Sequence, residues 1–301
     1  MSSTAELAYT LEGVAQGMRE DGRARLDLRH LAIECSIFAH TCGSARVTLG
    51  NTEAIVGVVA ELSEPESDAP DAGRISVSVG AAGNLALPDY GGTDAVTFLE
   101  AALAPLYSHK ALGPALRPLC ISRGAQCWEL RVHAQLISCD GCPLDALALG
   151  VRAALQSTRV PRMTAVGGGE GGPPPSGGAP LDLDLDESLD ESLPFDASGV
   201  PLFLTVSNLG PHLVADCSAA ERRAAGSALS LGLNAAGEVC AVRGGGGCGV
   251  HLALAADMLQ TARLLCAALL EAVADATAAA LRDAQMRGHP YAESGAYGFL
   301  A

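Results

Sequence analysis

Between residues 166 and 198 this 301-residue chain carries Gly167-Gly168-Gly169, Pro173-Pro174-Pro175 and an acidic run through Asp182, Asp184, Asp186, Glu187, Asp190 and Glu191. A stretch with so little apolar surface reads as a linker or long surface loop. It splits the chain into two parts with the same order of patterns. Before it, Leu7, Leu11, Val14 and Met18 fall at helical spacing up to Asp21-Gly22. Leu31, Ile33, Cys35 and Ile37 then alternate with their neighbours, as do Ala45, Val47 and Leu49, and a turn at Gly50-Asn51 leads into the apolar run 54–60. Ile75, Val77 and Val79 predict a further strand, Val96 to Leu106 a helix, Trp128 to Leu136 a long strand, and Pro143 to Gln156 a helix whose first turn suits proline. After the linker come strands at 202–206 and 229–233, a turn at 234–237, a strand ending near Val242 and a long helix from Leu252 to Leu281. Strands followed by an apolar helix, twice, predict an α+β fold of two related sheet-and-helix halves sharing one core. The expected divisions are an N-terminal helix and lead-in (1–28), a first half (29–165), the acidic Gly/Pro-rich linker (166–198), a second half (199–285) and a tail (286–301).

With 49% hydrophobic residues the chain can bury a sizeable core. Its formal net charge is -15, so the average field repels a polyanion, and any nucleic-acid contact has to come from local bases. Lys110 is the sole lysine among 19 basic residues; arginine is the better bidentate phosphate ligand. Residues 1–16 hold glutamates and no base ahead of an apolar stretch, which excludes a secretory signal. Charges or polar residues interrupt each apolar run near the ends, so no membrane span is expected. Ten cysteines, irregularly placed, point to buried thiols in a reducing compartment.

Several motifs carry less than their patterns suggest. Cys139-Asp140-Gly141-Cys142 has the spacing of half a zinc site, but no second pair completes it, and structural thiols are expected. Gly244, Gly246 and Gly249 fit a dinucleotide fingerprint between a strand and a helix, yet too little chain follows to supply the second parallel strand of a nucleotide crevice. The glycines from Gly167 lack the Gly-Lys-Ser/Thr ending of a phosphate loop. The seven histidines are scattered, with no nucleophile elbow. Neither a metal nor a cofactor is implied. Arg46, Arg117, Arg123, Arg159 and Arg162 fall at loops or element ends and are the candidate RNA-binding residues, provided that they converge in space.

Order and spacing of short segments resemble the RNase PH family. Asp21-Gly22-Arg23, then Gly43-Ser44-Ala45-Arg46-Val47 with Leu49-Gly50-Asn51-Thr52, is similar to the family's opening. Leu119-Cys120-Ile121-Ser122, Cys127-Trp128, Asp140-Gly141 before Leu144-Asp145-Ala146, and Thr158-Arg159-Val160-Pro161 are similar to the middle of its exosome ring subunits; Asp216 followed by Glu221 continues the likeness. The resemblance implies an RNase PH-like fold with halves like domain 2 of ribosomal protein S5. It also implies a hexameric ring with five other RNase PH-like subunits, cap subunits, an associated hydrolytic ribonuclease, and RNA threaded through the channel for 3′–5′ processing and degradation, ribosomal RNA included. The implied locations are nucleus, nucleolus and cytoplasm.

Active relatives hold the attacking phosphate with a Gly-Thr-Arg-Thr-like segment after the aspartate-glycine pair. Here that segment reads Cys142-Pro143-Leu144-Asp145: Leu144 offers no donor, and Asp145 is expected to repel the anion. Relatives also place a catalytic aspartate several residues beyond the position of Asp216, where this chain runs from Arg222 to Ala228 without a carboxylate. The expectation is therefore a non-catalytic ring subunit, with no catalytic residues of its own. The alternative is a phosphorolytic 3′–5′ exoribonuclease subunit whose site is shared with a neighbouring paralogue.

Overall fold

The computed structural model describes residues 3–83, 85, 87, 94–161, 163–165, 183–185 and 192–287. In chain order the elements are α1 (Thr4–Ala15), β1 (Leu31–Cys35), β2 (Gly43–Leu49), β3 (Thr52–Ser63), β4 (Arg74–Ala81), α2 (Ala95–Leu103), α3 (His109–Leu116), β5 (Cys120–Ser122), β6 (Gln126–Ser138) and α4 (Pro143–Ser157). Two short ladders follow, β7 (Arg159–Val160) with β10 (Leu193–Pro194) and β8 (Met163–Ala165) with β9 (Leu183–Leu185). The second half has β11 (Leu202–Leu209), β12 (His212–Ala215), α5 (Ala219–Ala224), β13 (Ser227–Leu233), β14 (Val239–Gly245) and α6 (Leu252–Arg287). The expected linker falls largely outside the described residues, as does the tail from residue 288.

The first sheet runs β1-β2-β3-β6-β4, with β5 on the start of β6. Only β4 is parallel to its neighbour, because α2 and α3 intervene between β4 and β6 and provide the long crossover that parallel pairing requires. On β3, Thr52, Ala54, Val56, Val58 and Ala60 point inward and are almost wholly buried, so the period-2 pattern fixes which face meets the core. The second sheet, β12-β11-β13-β14, is antiparallel throughout. The halves therefore share layering but do not match strand for strand. No parallel strand follows the glycines at 244–249 among the described residues, as the nucleotide reading would have needed.

Between the sheets lies α4, packed on β2 and β3 and also on β11. Every residue from Pro143 to Leu155 is buried, which explains why its sequence shows apolar residues all round. Gly150 lets it approach the first sheet: a Cβ there would stand 2.9 Å from Cγ2 of Val56. Along β1, β11, β13 and α4 runs α6, burying Met258, Ala262, Cys266 and Val273. Contrary to the expectation that charges interrupt every terminal apolar run, α6 is long and apolar enough to cross a membrane by length and composition; 33% of its apolar window is buried, while Leu252 and Leu264 are exposed.

Gly150→Val should cost about 1–3 kcal/mol by forcing α4 away from Val56. Gly199→Ala, where a Cβ meets open space, should cost far less. Urea unfolding of both variants checks the difference.

Candidate functional site

The segment expected to have lost its phosphate grip begins where β6 ends, and it meets the second half at once. Gly141 has φ +96 and lies so close to the Cys217 carbonyl that any Cβ would collide with it. Cys142 (φ 26) and Asp216 (φ 47) adopt left-handed backbone without being glycine, a conformation that persists only where surroundings enforce it. Both lie at this contact.

Arg29 enforces it. Its backbone N donates to Oδ2 of Asp216 at 2.8 Å, its Nε to the same oxygen at 2.9 Å and its Nη2 to Oδ1 at 2.6 Å. The remaining nitrogen, Nη1, donates to Oγ1 of Thr52 at 3.2 Å and to the carbonyl of Asp140. Burial alone would lower the Arg29 pKa, but the hydrogen bonds and charge of Asp216 outweigh it and hold the guanidinium's pKa raised. Beside it Arg19 forks onto Glu221, with Nε and Nη2 each 2.7 Å from a carboxylate oxygen, and donates also to the carbonyls of Ala215 and Asp216. Glu221 closes the capping box of α5 with Ser218. Asp140 accepts from the Ala219 backbone at 3.1 Å and from Asn51 at 3.0 Å.

At the N-terminus of α4, Cys142, Pro143, Leu144 and Asp145 are all buried. Asp145, expected to repel an anion, has its carboxyl engaged within the chain. Its carboxyl turns inward, accepting from the Thr205 backbone at 2.9 Å and from Oγ1 of Thr205 at 2.7 Å, and so ties α4 to β11. Thr205 in turn meets Ser230 on β13 at 2.7 Å. Desolvation pushes the Asp145 pKa up to about 7, the Thr205 hydrogen bonds opposing it and the nearby Asp216 charge adding to it. Burial likewise raises the Cys142 thiol well above its ordinary range, Asp145 and Asp216 reinforcing the effect. Beyond Asp216, the 222–228 segment offers Arg222, buried, with Nη1 3.4 Å from Oγ of Ser207.

Ligand atoms of Cys142, Asp145 and Asp216 lie within 4.8 Å of one another. They do not suit a metal ion, because Arg29 engages both oxygens of Asp216 and Thr205 both oxygens of Asp145. The Cys142 thiol is directed to the Cys217 carbonyl at 3.6 Å, and that of Cys139 to the Gly141 carbonyl at 3.4 Å. Chemically the cluster is a closed clasp.

The candidate arginines do not share one place. Arg46 stands exposed on β2, 2.8 Å from Glu53 and 3.9 Å from Glu34. Arg159 donates to Oγ of Ser192 at 2.8 Å and to its carbonyl. Arg117 lies 3.9 Å from Asp71, and Arg123 sits exposed in the turn before β6, next to Gly124, which bonds to the Pro70 carbonyl. The β3–β6 ladder carries Arg46 near the level of Ile55 and this turn beyond Ser63. Eight residues of strand separate those levels by roughly 26 Å. Arg162 lies outside the described residues. Sequence reasoning missed Arg19, Arg29 and Thr205. A basic residue beside a strand carries no mark of an acid almost two hundred positions away.

With this geometry in view, comparison with known proteins is direct. Residues 27–161 match RNase PH, the 3′ exoribonuclease family, domain 1. A Dictyostelium discoideum protein provisionally named exosome complex exonuclease RRP42 is 26% identical over 87% of this chain and 94% of its own. The Thermococcus kodakarensis protein named exosome complex component Rrp42 is 30% identical over 79% of this chain and 82% of its own. Among solved structures, an archaeal exosome core matches at a TM-score of 0.69 and 24% identity over 89% of this chain and 96% of that one. A chain of the Archaeoglobus fulgidus exosome with RNA bound to the active site matches at 0.67 and 24%, over 89% of this chain and 97% of that one. These two likenesses establish the RNase PH-like fold.

Removing one partner of the buried clasp, as in Arg29→Met, should cost about 3–5 kcal/mol because the buried Asp216 charge keeps only the backbone N–H of residue 29 and Arg23, at 3.5 Å, as partners. Chemical denaturation measures it. Asp145 has a folded pKa of about 7 against an ordinary 3.8, so the folded state holds its proton to higher pH than the unfolded one. Its contribution is complete below about 4 and is lost as pH rises to about 7. The stability of Asp145→Asn relative to wild type should therefore increase between pH 4 and pH 8, on the order of 2–4 kcal/mol. A difference that stays constant across that range removes the buried-acid reading.

Proposed function

The chain belongs to the RNase PH family of 3′ exoribonucleases, and from that premise we propose that it serves as a structural subunit of an RNA exosome ring without itself performing phosphorolysis. The single observation that carries this reading is the buried N-terminus of α4. Phosphorolysis needs inorganic phosphate positioned against the RNA end and a group to move a proton, effects each worth orders of magnitude in rate. Here Leu144 is fully buried and offers no side-chain donor, and Asp145 is bonded to Thr205, so no side chain of this segment is free to grip an anion. Asp216, the surviving acid, is held on both oxygens by Arg29.

A ring needs complementary faces on every subunit but chemistry only in some, and unlike neighbours can close it. Five related subunits, cap proteins and a hydrolytic ribonuclease are the partners proposed, and nucleus, nucleolus and cytoplasm the proposed locations. RNA contacts from this chain are proposed as separate phosphate contacts by Arg46, Arg117, Arg123, Arg159 and Arg162, with the ring as a whole supplying the track. The name exonuclease on the Dictyostelium relative favours a second reading, in which a neighbour completes a shared phosphorolytic site.

Incubated with RNA and inorganic phosphate, the purified chain should release no nucleoside diphosphate. Phosphate-dependent release that Asp145→Asn abolishes while the protein stays folded would overturn the proposal. Release only from the assembled complex, lost with the same substitution, would establish the shared site instead.

A further inference from the structure

Leu119-Cys120-Ile121-Ser122 and Cys127-Trp128, two of the segments that carry the family likeness, take no part in the clasp or in the function proposed above. They fold onto one another. β5 turns back on the start of β6, with the Ala125 backbone donating to the Ser122 carbonyl at 3.0 Å, and this sets Cys120 directly opposite Cys127 in antiparallel register. The ladder shifts only beyond the pair, at Ile121. Residues opposite one another in such a ladder send their side chains to the same face, with Cα atoms roughly 4.5 or 5.5 Å apart according to the hydrogen-bonding position. A disulfide accepts Cα separations of about 4.4–6.8 Å, so the backbone already holds the two residues at a bridging distance. Across the other described ladders no two cysteines face each other: Cys35 meets Ala45, and on its other side Cys127 meets Ser63.

The surroundings keep the pair open at rest and leave one sulfur within reach. Cys120 is half-buried, Cys127 is buried, and both are free thiols. Desolvation raises the Cys120 thiol above its ordinary range, Asp71 adding to the shift and Arg123 opposing it. Desolvation raises Cys127 too; Cys120 itself, Glu129 and Glu66 add to the shift and Arg74 opposes it. The thiolate is the nucleophile, so neither sulfur reacts readily, and closing the pair takes a sustained excess of oxidant. The pair also sits where the turn is tied to the segment between β3 and β4. The Cys120 thiol is directed to the Pro70 carbonyl at 3.9 Å, and the Gly124 backbone donates to that same carbonyl at 2.8 Å. Arg123 stands exposed at the tip of this turn.

We propose that Cys120 and Cys127 form a redox modification site, at which a peroxide closes a disulfide between β5 and β6 and stiffens the turn that presents Arg123. Two steps balance the reaction. The Cys120 sulfur attacks a peroxide oxygen and is oxidised to a sulfenic acid; the O–O bond breaks, and hydrogen peroxide leaves as one water with the thiol's proton. The Cys127 sulfur then attacks the sulfenic sulfur, the S–S bond forms, and the S–O bond breaks to release a second water that carries the Cys127 proton. Two thiols lose two electrons to one peroxide. The site stands independently of the ring-subunit reading.

The test treats the purified full-length chain, reduced and then freed of reductant, with hydrogen peroxide under native conditions, blocks the remaining thiols with N-ethylmaleimide and digests with trypsin without reduction. Cleavage after Arg123 parts Cys120, in peptide 111–123, from Cys127, in peptide 124–131, so mass spectrometry should find the two peptides joined and reductant should separate them. Cys120→Ser, at the half-exposed position, should abolish the joined species. A second measurement needs no variant: backbone hydrogen exchange at residues 122–126 in wild type should slow several-fold on oxidation and recover on reduction. Recovery of both cysteines as maleimide adducts while the exposed Cys248 is oxidised overturns the site, and so does either one joined to a different cysteine. Unchanged exchange in the joined protein overturns the stiffening of the turn.

Discussion

The ion pair between Arg29 and Asp216 is the contact on which the junction of the two halves depends. It joins the segment leading into the first sheet to the end of β12, 187 positions apart, and it is reinforced from above by Thr52 and the Asp140 carbonyl. Taking two such charges out of water costs several kcal/mol each, and only near-complete hydrogen bonding repays it. That requirement is met: Asp216 accepts from Arg29 through three donors, while Arg29 reaches two further acceptors. The left-handed backbone of Asp216 and of Cys142 lies at this clasp.

The residues that close the junction are also those at the N-terminus of α4. A site for inorganic phosphate needs open donors at a helix N-terminus and a channel for the anion. At α4 the same positions are occupied by a thiol directed to a carbonyl, a proline, a buried leucine and an acid bonded to β11. Asp145 is a strong form of this replacement. It makes an internal tie between halves, and its desolvation drives the pKa up to about 7, so near neutrality the tie is shared between acid and carboxylate forms.

Much of the scaffold was legible because its residues sit on surfaces with strict periods. The alternation at Ala45, Val47 and Leu49 and at Trp128 to Leu136 is the burial pattern of β2 and β6, and helix α4 starts at Pro143 as the sequence suggests. Short elements were not: β12 has four residues, α5 has six, and α3 contains Pro114, so none leaves a clear periodic trace. At the site, the family resemblance marked 140–145 and Asp216 as positions of interest but not which way Asp145 faces. Orientation depends on Thr205 sixty residues away, a partner that only the packing of α4 on β11 brings near.

The arginine bias of the chain acquires a reason from the same packing. A lysine presents one compact charge, whereas a guanidinium offers five donors in a plane and stays ionised when buried. Arg19 uses that geometry to bind Glu221 and four backbone carbonyls, and Arg29 to bind a carboxylate, a hydroxyl and a carbonyl. Arg152, buried on α4, holds the carbonyls of Val200 and Ser198 and so fixes the chain as it enters the second half. These arginines are interior rivets, withdrawn from any role at a polyanion. On a chain of net charge -15, three buried arginines spent on internal acceptors leave the exposed ones as the local bases open to a polyanion.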